Sequence, residues 1–298
     1  MRLADLHRHL DGSLRLATLR ELAAPLGVAV PADVRFFAGM GLAGALARFE
    51  LTLAVMQTPD AVRRIAAEAC ENAAAEGVTT LELRFAPQLH RGAPLEAVVD
   101  AALEGIDGRA GLLLCGLYGE PPDVLERLVD VATTRSGVRG IDLAGGPSLA
   151  HAFTLADYAR PFRRAADVGL GTTVHAGEGR PPEEIRTAIE ALGARRIGHG
   201  TTLLDDPAVL DLVLREGVTI EACPSSNVHT GVIASLHDHP LPRWLALGVR
   251  VAVCTDNTLF SDVDAPGEHA RVRQIPGMTD ALMAAVVAFG HSAAFQRG

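Results

Sequence analysis

The chain has 298 residues, a formal net charge of −9 at pH 7 with histidines neutral, 48% apolar residues and no lysine. That length suits one large α/β unit with a sizeable core, and the acidic balance argues against a surface for nucleic acid or anionic membrane. Without lysine there is no Walker-type phosphate loop, no Schiff-base amine and no pyridoxal chemistry.

The first element is LADLHRH at 3–9. Residues two apart share a strand face, so His7 and His9 point one way and Arg8 the other. Asp11, Gly12 and Ser13 follow at once. A gap of roughly 75 residues separates this run from the next strand, against roughly 22–33 between later strands, a spacing normal for βα units. The gap holds a helical segment, GLAGALARFELTLAVMQ. A long insertion after a barrel strand overlies the C-terminal mouth, so residues 30–60 read as a helical lid. Leu42, Leu46 and Phe49 there suit either a pocket cover or ordinary helix core.

Next comes PDAVRRIAAEACENAAAEG, where Val62, Ile65, Ala66, Ala69 and Ala73 form a helical stripe and Gly77 suits the cap. Strand-like TTLELRFA and GLLLCGLY alternate with helical PLEAVVDAALEGI and PPDVLERLVDVA. GIDLAG and GTTVHAG are strands, then PPEEIRTAIEALGA, RIGHG, DDPAVLDLVLREG, VTIEAC and VRVAVCTD repeat the alternation. Several helices carry proline in the first turn. Eight strand–helix units predict a (β/α)8 TIM barrel, one domain over residues 1–298. A doubly wound sheet is the runner-up and lacks a G-x-G-x-x-G after a strand.

ALMAAVVAFG, at 281–290, is too short to span a bilayer, and nothing at the N-terminus marks export. Cys70, Cys115, Cys223 and Cys254 are dispersed without a C-x-x-C pair, which reads as buried thiols of a cytoplasmic protein.

One H-x-H carries little by itself. His237–His239 sits before Pro240 and reads as a solvated loop; His90, His151, His229, His269 and His291 are given the same default, with no site role. Repetition at strand ends carries more. The fifth strand run ends in His175 and then Glu178, the sixth in His199, the eighth in Asp256 and then Asn257. In a closed barrel these ends converge on one mouth. Three imidazoles and a carboxylate, from His7, His9, His175 and Asp256, suit one Zn²⁺ with an open position for water; Fe²⁺, Co²⁺ or Mn²⁺ would fit the same set. Such an ion lowers the pKa of a water towards ~7, and His199 and Asp256 are placed to orient the hydroxide. Glu178, beyond the turn at Gly177, is placed to donate or relay a proton.

DLHRHLDGS, IDLAGG, HAGEG, IGHGT, CPSSNVHTG and CTDN occur in that order along nearly the whole chain. With them the sequence resembles the adenosine deaminase family of the amidohydrolase superfamily. The resemblance implies attack of hydroxide on purine C6, protonation of N1 by a glutamate, and loss of the amino group as ammonia through a tetrahedral intermediate. It makes His7, His9, His175 and Asp256 metal ligands, Glu178 the proton shuttle and His199 the stabiliser of the attacking hydroxide. Gly145 would offer a backbone contact near N3 and Asp11 would face the ribose hydroxyl end. His9, Leu42, Leu46 and Phe49 would border the substrate. Two departures stand out. Asn257 occupies a place where many members carry a second aspartate; its amide can donate to N7 without having to hold a proton. Pro147 follows DLAGG where acidic residues are common. The chain is also somewhat short for the family.

The implied substrate is a small-molecule purine nucleoside, adenosine or deoxyadenosine. Alternatives are a 5′-modified adenosine such as aminodeoxyfutalosine, or free adenine; SSNVHTG is closer to the nucleoside-acting members. A two-metal barrel hydrolase of amides or phosphoesters would want a bridging carboxylated lysine, which this chain lacks. A non-catalytic purine-binding protein would have no use for the complete ligand set and Glu178. The zinc cytidine deaminase pattern needs H-x-E and P-C-x-x-C, whereas here His175 and Glu178 are H-x-x-E and PSSN follows Cys223. No G-x-S-x-G supports a serine hydrolase.

Overall fold

Eight apolar runs form strands: β1 (Leu3–His9), β2 (Val78–Phe85), β3 (Gly111–Leu117), β4 (Val138–Ala144), β5 (Gly171–Ala176), β6 (Arg196–His199), β7 (Thr219–Ala222) and β8 (Arg250–Val253). The computed structural model describes residues 2–146, 148 and 150–296, so Pro147 lies outside the described residues. The strands form one sheet in sequence order, each parallel to the next. The last edge meets the first just past β8: the His9 amide donates to the Asp256 carbonyl and the Asp256 amide to the His7 carbonyl, both at 2.8 Å. The predicted (β/α)8 barrel is the observed fold.

The helices cover the outside because each carries one apolar stripe. Pro59–Ala75 buries Val62, Ile65, Ala66, Ala69 and Ala73, as the spacing predicted, and Thr58 caps it by accepting from the Ala61 amide. Gly77 then turns into β2 with φ +78°, a left-handed conformation open to glycine. The sequence reading did not identify Ala159–Asp167, a helix whose run ARPFRRAAD buries only Pro161, Phe162 and Ala165, too short a stripe to stand out. It also missed Leu16–Ala23 and the two-turn pieces Pro224–His229 and Leu241–Ala246. Among the described residues no helix is long and apolar enough to cross a membrane. All four cysteines are free and buried.

The barrel interior is charged at its centre. Arg196 on β6 pairs with Glu82 on β2 and with Glu221 on β7, while Arg84 on β2 pairs with Asp142 on β4 and Glu221. β2 and β6 are not neighbours in the sheet, so these contacts cross the interior. At the N-terminal end of the strands the Phe295 ring covers the Arg196 guanidinium at 3.6 Å, and the Phe295 amide donates to Glu82.

Candidate active site

At the opposite end of the strands three imidazoles and one carboxylate meet. His9 Nε2 lies 3.3 Å from His7 Nε2 and 3.2 Å from His175 Nε2. Asp256 Oδ1 lies 3.6 Å from His7 Nε2 and 3.5 Å from His9 Nε2. The outer nitrogens are already engaged: His7 Nδ1 faces Glu221 Oε2 at 2.6 Å and His175 Nδ1 faces Asp142 at 3.1 Å. A carboxylate only accepts, so both Nδ1 atoms carry the proton and both Nε2 lone pairs point at one spot. Lone pairs gathered this closely call for a cation between them. Zinc–nitrogen and zinc–oxygen bonds of about 2.0–2.1 Å set neighbouring donors about 3–3.4 Å apart, comparable with the spacings here. The residues present therefore fit a metal ion.

Burial, with Arg84 and the neighbouring imidazoles, holds His7 well below the ordinary imidazole value, and burial with His175 does the same to His9. Burial opposes charge on His175 too, but Asp142 outweighs it and raises the ring's pKa. Burial alone would raise Asp142; His175 and Arg84 instead hold it below the usual carboxylate range. Arg84 spans the two supporting carboxylates, with Nη1 2.9 Å from Asp142 Oδ2 and Nη2 2.9 Å from Glu221 Oε2.

Around this cluster stand the other predicted residues. Glu178 is buried; burial raises its carboxyl, opposed by His175 and a hydrogen bond with Thr230. Its Oε2 lies 3.8 Å from His199 Nε2. Burial brings His199 down to about 4, so the ring is neutral at pH 7. His199 and Asp256 both adopt positive φ, +66° and +61°, which turns each side chain off its strand into the mouth. Asp11 lies 4.0 Å from His9 Nδ1; burial pushes its carboxyl up to about 7, and its Oδ1 is without a hydrogen-bond partner. Asn257 Oδ1 is likewise buried and without a partner. Gly12 has no room for a side chain: a Cβ there would lie 1.9 Å from Asn257 Oδ1.

A cavity of about 50 Å³ at this mouth is lined by His9, Gly145, His175, Glu178, His199, Asp256 and Asn257 on the barrel side. Leu42, Ala45, Leu46 and Phe49 of the Leu42–Val55 helix line the other side, with Phe36. Asp11 is absent from the lining of this closed cavity and stands 4.0 Å from His9 Nδ1. Phe36, Ser226 and Thr230 also line the cavity and were not singled out from sequence. Neither were Asp142, Glu221 and Arg84; the signal was that two carboxylates and a guanidinium stood in strand interiors. Cys223 groups with His199 and Asp256, but burial pushes its thiol well up, leaving a poor ligand at neutral pH.

The default for isolated histidines needs correction. His239 is not on a solvated loop: it is buried, its ring meets Trp244 edge-on, and Nε2 lies 3.3 Å from Asn227 Oδ1. The backbone turns at Leu236–Asp238, leaving His237 exposed and His239 inside. His90 and His269 are buried as well, each with Nδ1 against a backbone carbonyl, of Met56 and Ala265 respectively.

The family model for adenosine deaminase matches residues 3–296. The chain belongs to the adenosine deaminase family. An adenosine deaminase of Serratia proteamaculans is 35% identical, over 94% of this chain and 89% of its own length. The adenine deaminase of Arthrobacter aurescens superposes with a TM-score of 0.87 at 26% identity, covering 99% of this chain and 94% of that one. The Arabidopsis protein ADAL, solved in complex with IMP, gives 0.88 at 26% identity, over 99% and 92%. This member of the adenosine deaminase family is thus a metal-dependent aminohydrolase, and its His/His/His/Asp cluster is the metal-binding feature.

Proposed function

We propose that the enzyme deaminates a 6-aminopurine nucleoside, adenosine or deoxyadenosine, releasing inosine or deoxyinosine and ammonia. One zinc ion would be held by His7, His9, His175 and Asp256. The carrying observation is that His9 Nε2 lies 3.2–3.5 Å from the donor atoms of His7, His175 and Asp256, beside the buried carboxyl of Glu178. When bound, the ion supplies hydroxide at neutral pH by lowering the pKa of water towards ~7. Iron, cobalt or manganese would suit the same donors.

The chain's own residues supply the rest. Glu178, raised by burial, gives its proton to purine N1 as hydroxide adds at C6; its carboxylate then passes the proton of the new C6 hydroxyl to the amino group, which leaves as ammonia as the C6 carbonyl forms, and it is reprotonated by the next water. His199 and the Asp256 carboxylate orient the attacking water. Asn257 donates to N7, the Gly145 backbone faces N3, and Asp11 meets the ribose end. Leu42, Leu46 and Phe49 cover the base. The cavity of about 50 Å³ is far smaller than the ~300–1,000 Å³ usual for ligand sites, so segment 30–60 acts as a lid that swings out to admit substrate. The four buried free thiols suit a reducing compartment, the cytoplasm.

Two relatives keep the substrate question open to one decisive assay: one is an adenine deaminase and the other was solved with a purine nucleotide. Ammonia release is measured with metal-replete enzyme on adenosine, deoxyadenosine, adenine and a 5′-extended adenosine such as aminodeoxyfutalosine. The nucleoside reading expects adenosine or deoxyadenosine to be fastest. Faster turnover of adenine overturns it, and faster turnover of the extended nucleoside moves the assignment to that substrate.

A further inference from the structure

The buried His239 lies on a hydrogen-bonded chain that ends in the catalytic pocket. The Leu241 amide donates to His239 Nδ1 at 3.2 Å. A backbone N–H can only donate, so His239 Nδ1 is the acceptor. The ring is neutral, because burial, with His199 nearby, takes it down to about 3. Its single proton is therefore on Nε2, which lies 3.3 Å from Asn227 Oδ1. The Asn227 oxygen accepts from that N–H, which fixes the orientation of the amide. Asn227 Nδ2 must then donate to His199 Nδ1, 3.0 Å away. An Nδ1 that accepts carries no proton, so the His199 proton sits on Nε2, on the side that faces Glu178.

We infer that His239 and Asn227 are positioning residues that lock His199 in the Nε2–H tautomer, so that it presents a donor to the attacking water. The inference rests on the orienting role of His199 proposed above. Each link is rigid. Asn227 is fully buried on the Pro224–His229 helix, where its amide donates to the Cys223 carbonyl and its own carbonyl accepts from the Ile233 amide. His239 is held edge-on against the buried Trp244, at 5.4 Å between ring centroids. The start of the chain is a main-chain amide, which no change of pH can turn around. The same assignment excludes His199 as a metal ligand, since one nitrogen is hydrogen-bonded and the other protonated. That favours His9 and Asp256 over His199 as partners of His7 and His175.

Asn227→Asp reverses the relay while keeping its shape. A carboxylate accepts from both sides, so it would accept a hydrogen bond from His199 Nδ1–H and leave Nε2 a bare lone pair facing the water. Nitrogen-15 NMR of histidine-labelled enzyme reads the tautomer directly. The expected result is Nε2–H at His199 in the parent enzyme and Nδ1–H in Asn227→Asp. A wrong tautomer at a catalytic imidazole costs up to ~10⁴ in kcat, so a fall of about 10²–10⁴-fold is expected, with KM changed by less than about 3-fold. Should that variant not fold, His239→Phe and His239→Gln carry the test. Phenylalanine fills the space without an N–H and should lower kcat about 10-fold, whereas glutamine restores a donor and should recover most of it. A parent spectrum with Nδ1–H at His199, an unchanged tautomer in Asn227→Asp, or equal kcat in the two His239 variants overturns the relay. A reversed tautomer with unchanged kcat supports the relay and overturns instead the role given to His199.

Discussion

Replacing Glu178 by glutamine separates proton transfer from everything else this carboxyl does. The two side chains have the same shape, so the hydrogen bond with Thr230 and the packing in a site only 8% exposed are kept. Glu178 contributes no atom to the four-donor cluster, so metal content should stay at the parent level. What is lost is an exchangeable proton. A positioned general acid contributes about 10²–10⁴ in rate, which corresponds to about 2.7–5.4 kcal/mol of barrier. The kcat for adenosine, read from ammonia release, should fall by that factor while KM moves little. Folding should respond the other way. Burial raises this carboxyl above its unfolded value, so the native state binds the proton more tightly. Stability on that account is fullest below the unfolded value and declines as pH rises through the folded one. The amide has no such decline, so in metal-free protein the variant should melt at or above the parent temperature at pH 8. A kcat within about 5-fold of the parent, in a variant with full metal content, refutes the proton-donor assignment.

Glu268, buried against Ser225, offers a pH prediction away from the metal donors. Burial, opposed by hydrogen bonds from Ser225, lifts its carboxyl to about 7, so the native form gains a proton over the unfolded chain up to that pH. Stability should drop by about 3 kcal/mol between pH 4.5 and 8, and Glu268→Gln should remove that slope in urea titrations; equal slopes in both proteins would refute it. Arg84→Gln should weaken metal retention by about 10–100-fold, read by competition with a chelator, because Asp142 and Glu221 lose the fork that aims them at His175 and His7. Unchanged affinity in the folded variant would show that the carboxylates hold their places unaided. Gly12→Ala drives a methyl to within 1.9 Å of Asn257 Oδ1 and so displaces that amide. A loss of about 10-fold in kcat/KM on adenosine is expected, and no loss would remove Asn257 from the substrate contacts.

Much of this was readable from the residues because a barrel converts sequence periodicity into position. A polar residue at the end of an apolar strand has no packing reason to be there, and His7, His9, His175, His199 and Asp256 all stand at such ends. The supports are harder to read. Glu82 and Arg84 sit two apart in TTLELRFA and look like the solvent side of an amphipathic strand, yet both face the interior, where Arg196, Asp142 and Glu221 neutralise them. Alternation gives a face and cannot say whether that face meets water or another charge. His237–His239 is the turn that Pro240 suggested, but a turn position does not say which side chain meets water: His237 is exposed while His239, just past Leu236–Asp238, packs against Trp244. The Leu42–Val55 helix is ambiguous on its own stripe, since Leu42, Ala45, Leu46 and Phe49 line the cavity while Thr52 and Val55 of the same helix are buried elsewhere.

The charged interior also bears on what the donor cluster must hold. Glu82, Asp142 and Glu221 are three buried carboxylates served by two buried guanidiniums, Arg84 and Arg196. Asp256 adds a fourth carboxylate at the top, bordered by imidazoles that burial keeps neutral at His7, His9 and His199. With every imidazole neutral this column carries two excess negative charges in a region of low dielectric, where unpaired charge is costly, and His175, which Asp142 raises, could offset only one of them. Protonating the imidazoles could offset them only by destroying the lone pairs that converge there. A divalent cation among the Nε2 atoms offsets both charges at once and uses those lone pairs. The ladder beneath the site is therefore a second reason, independent of the donor spacings, for a cation at this mouth.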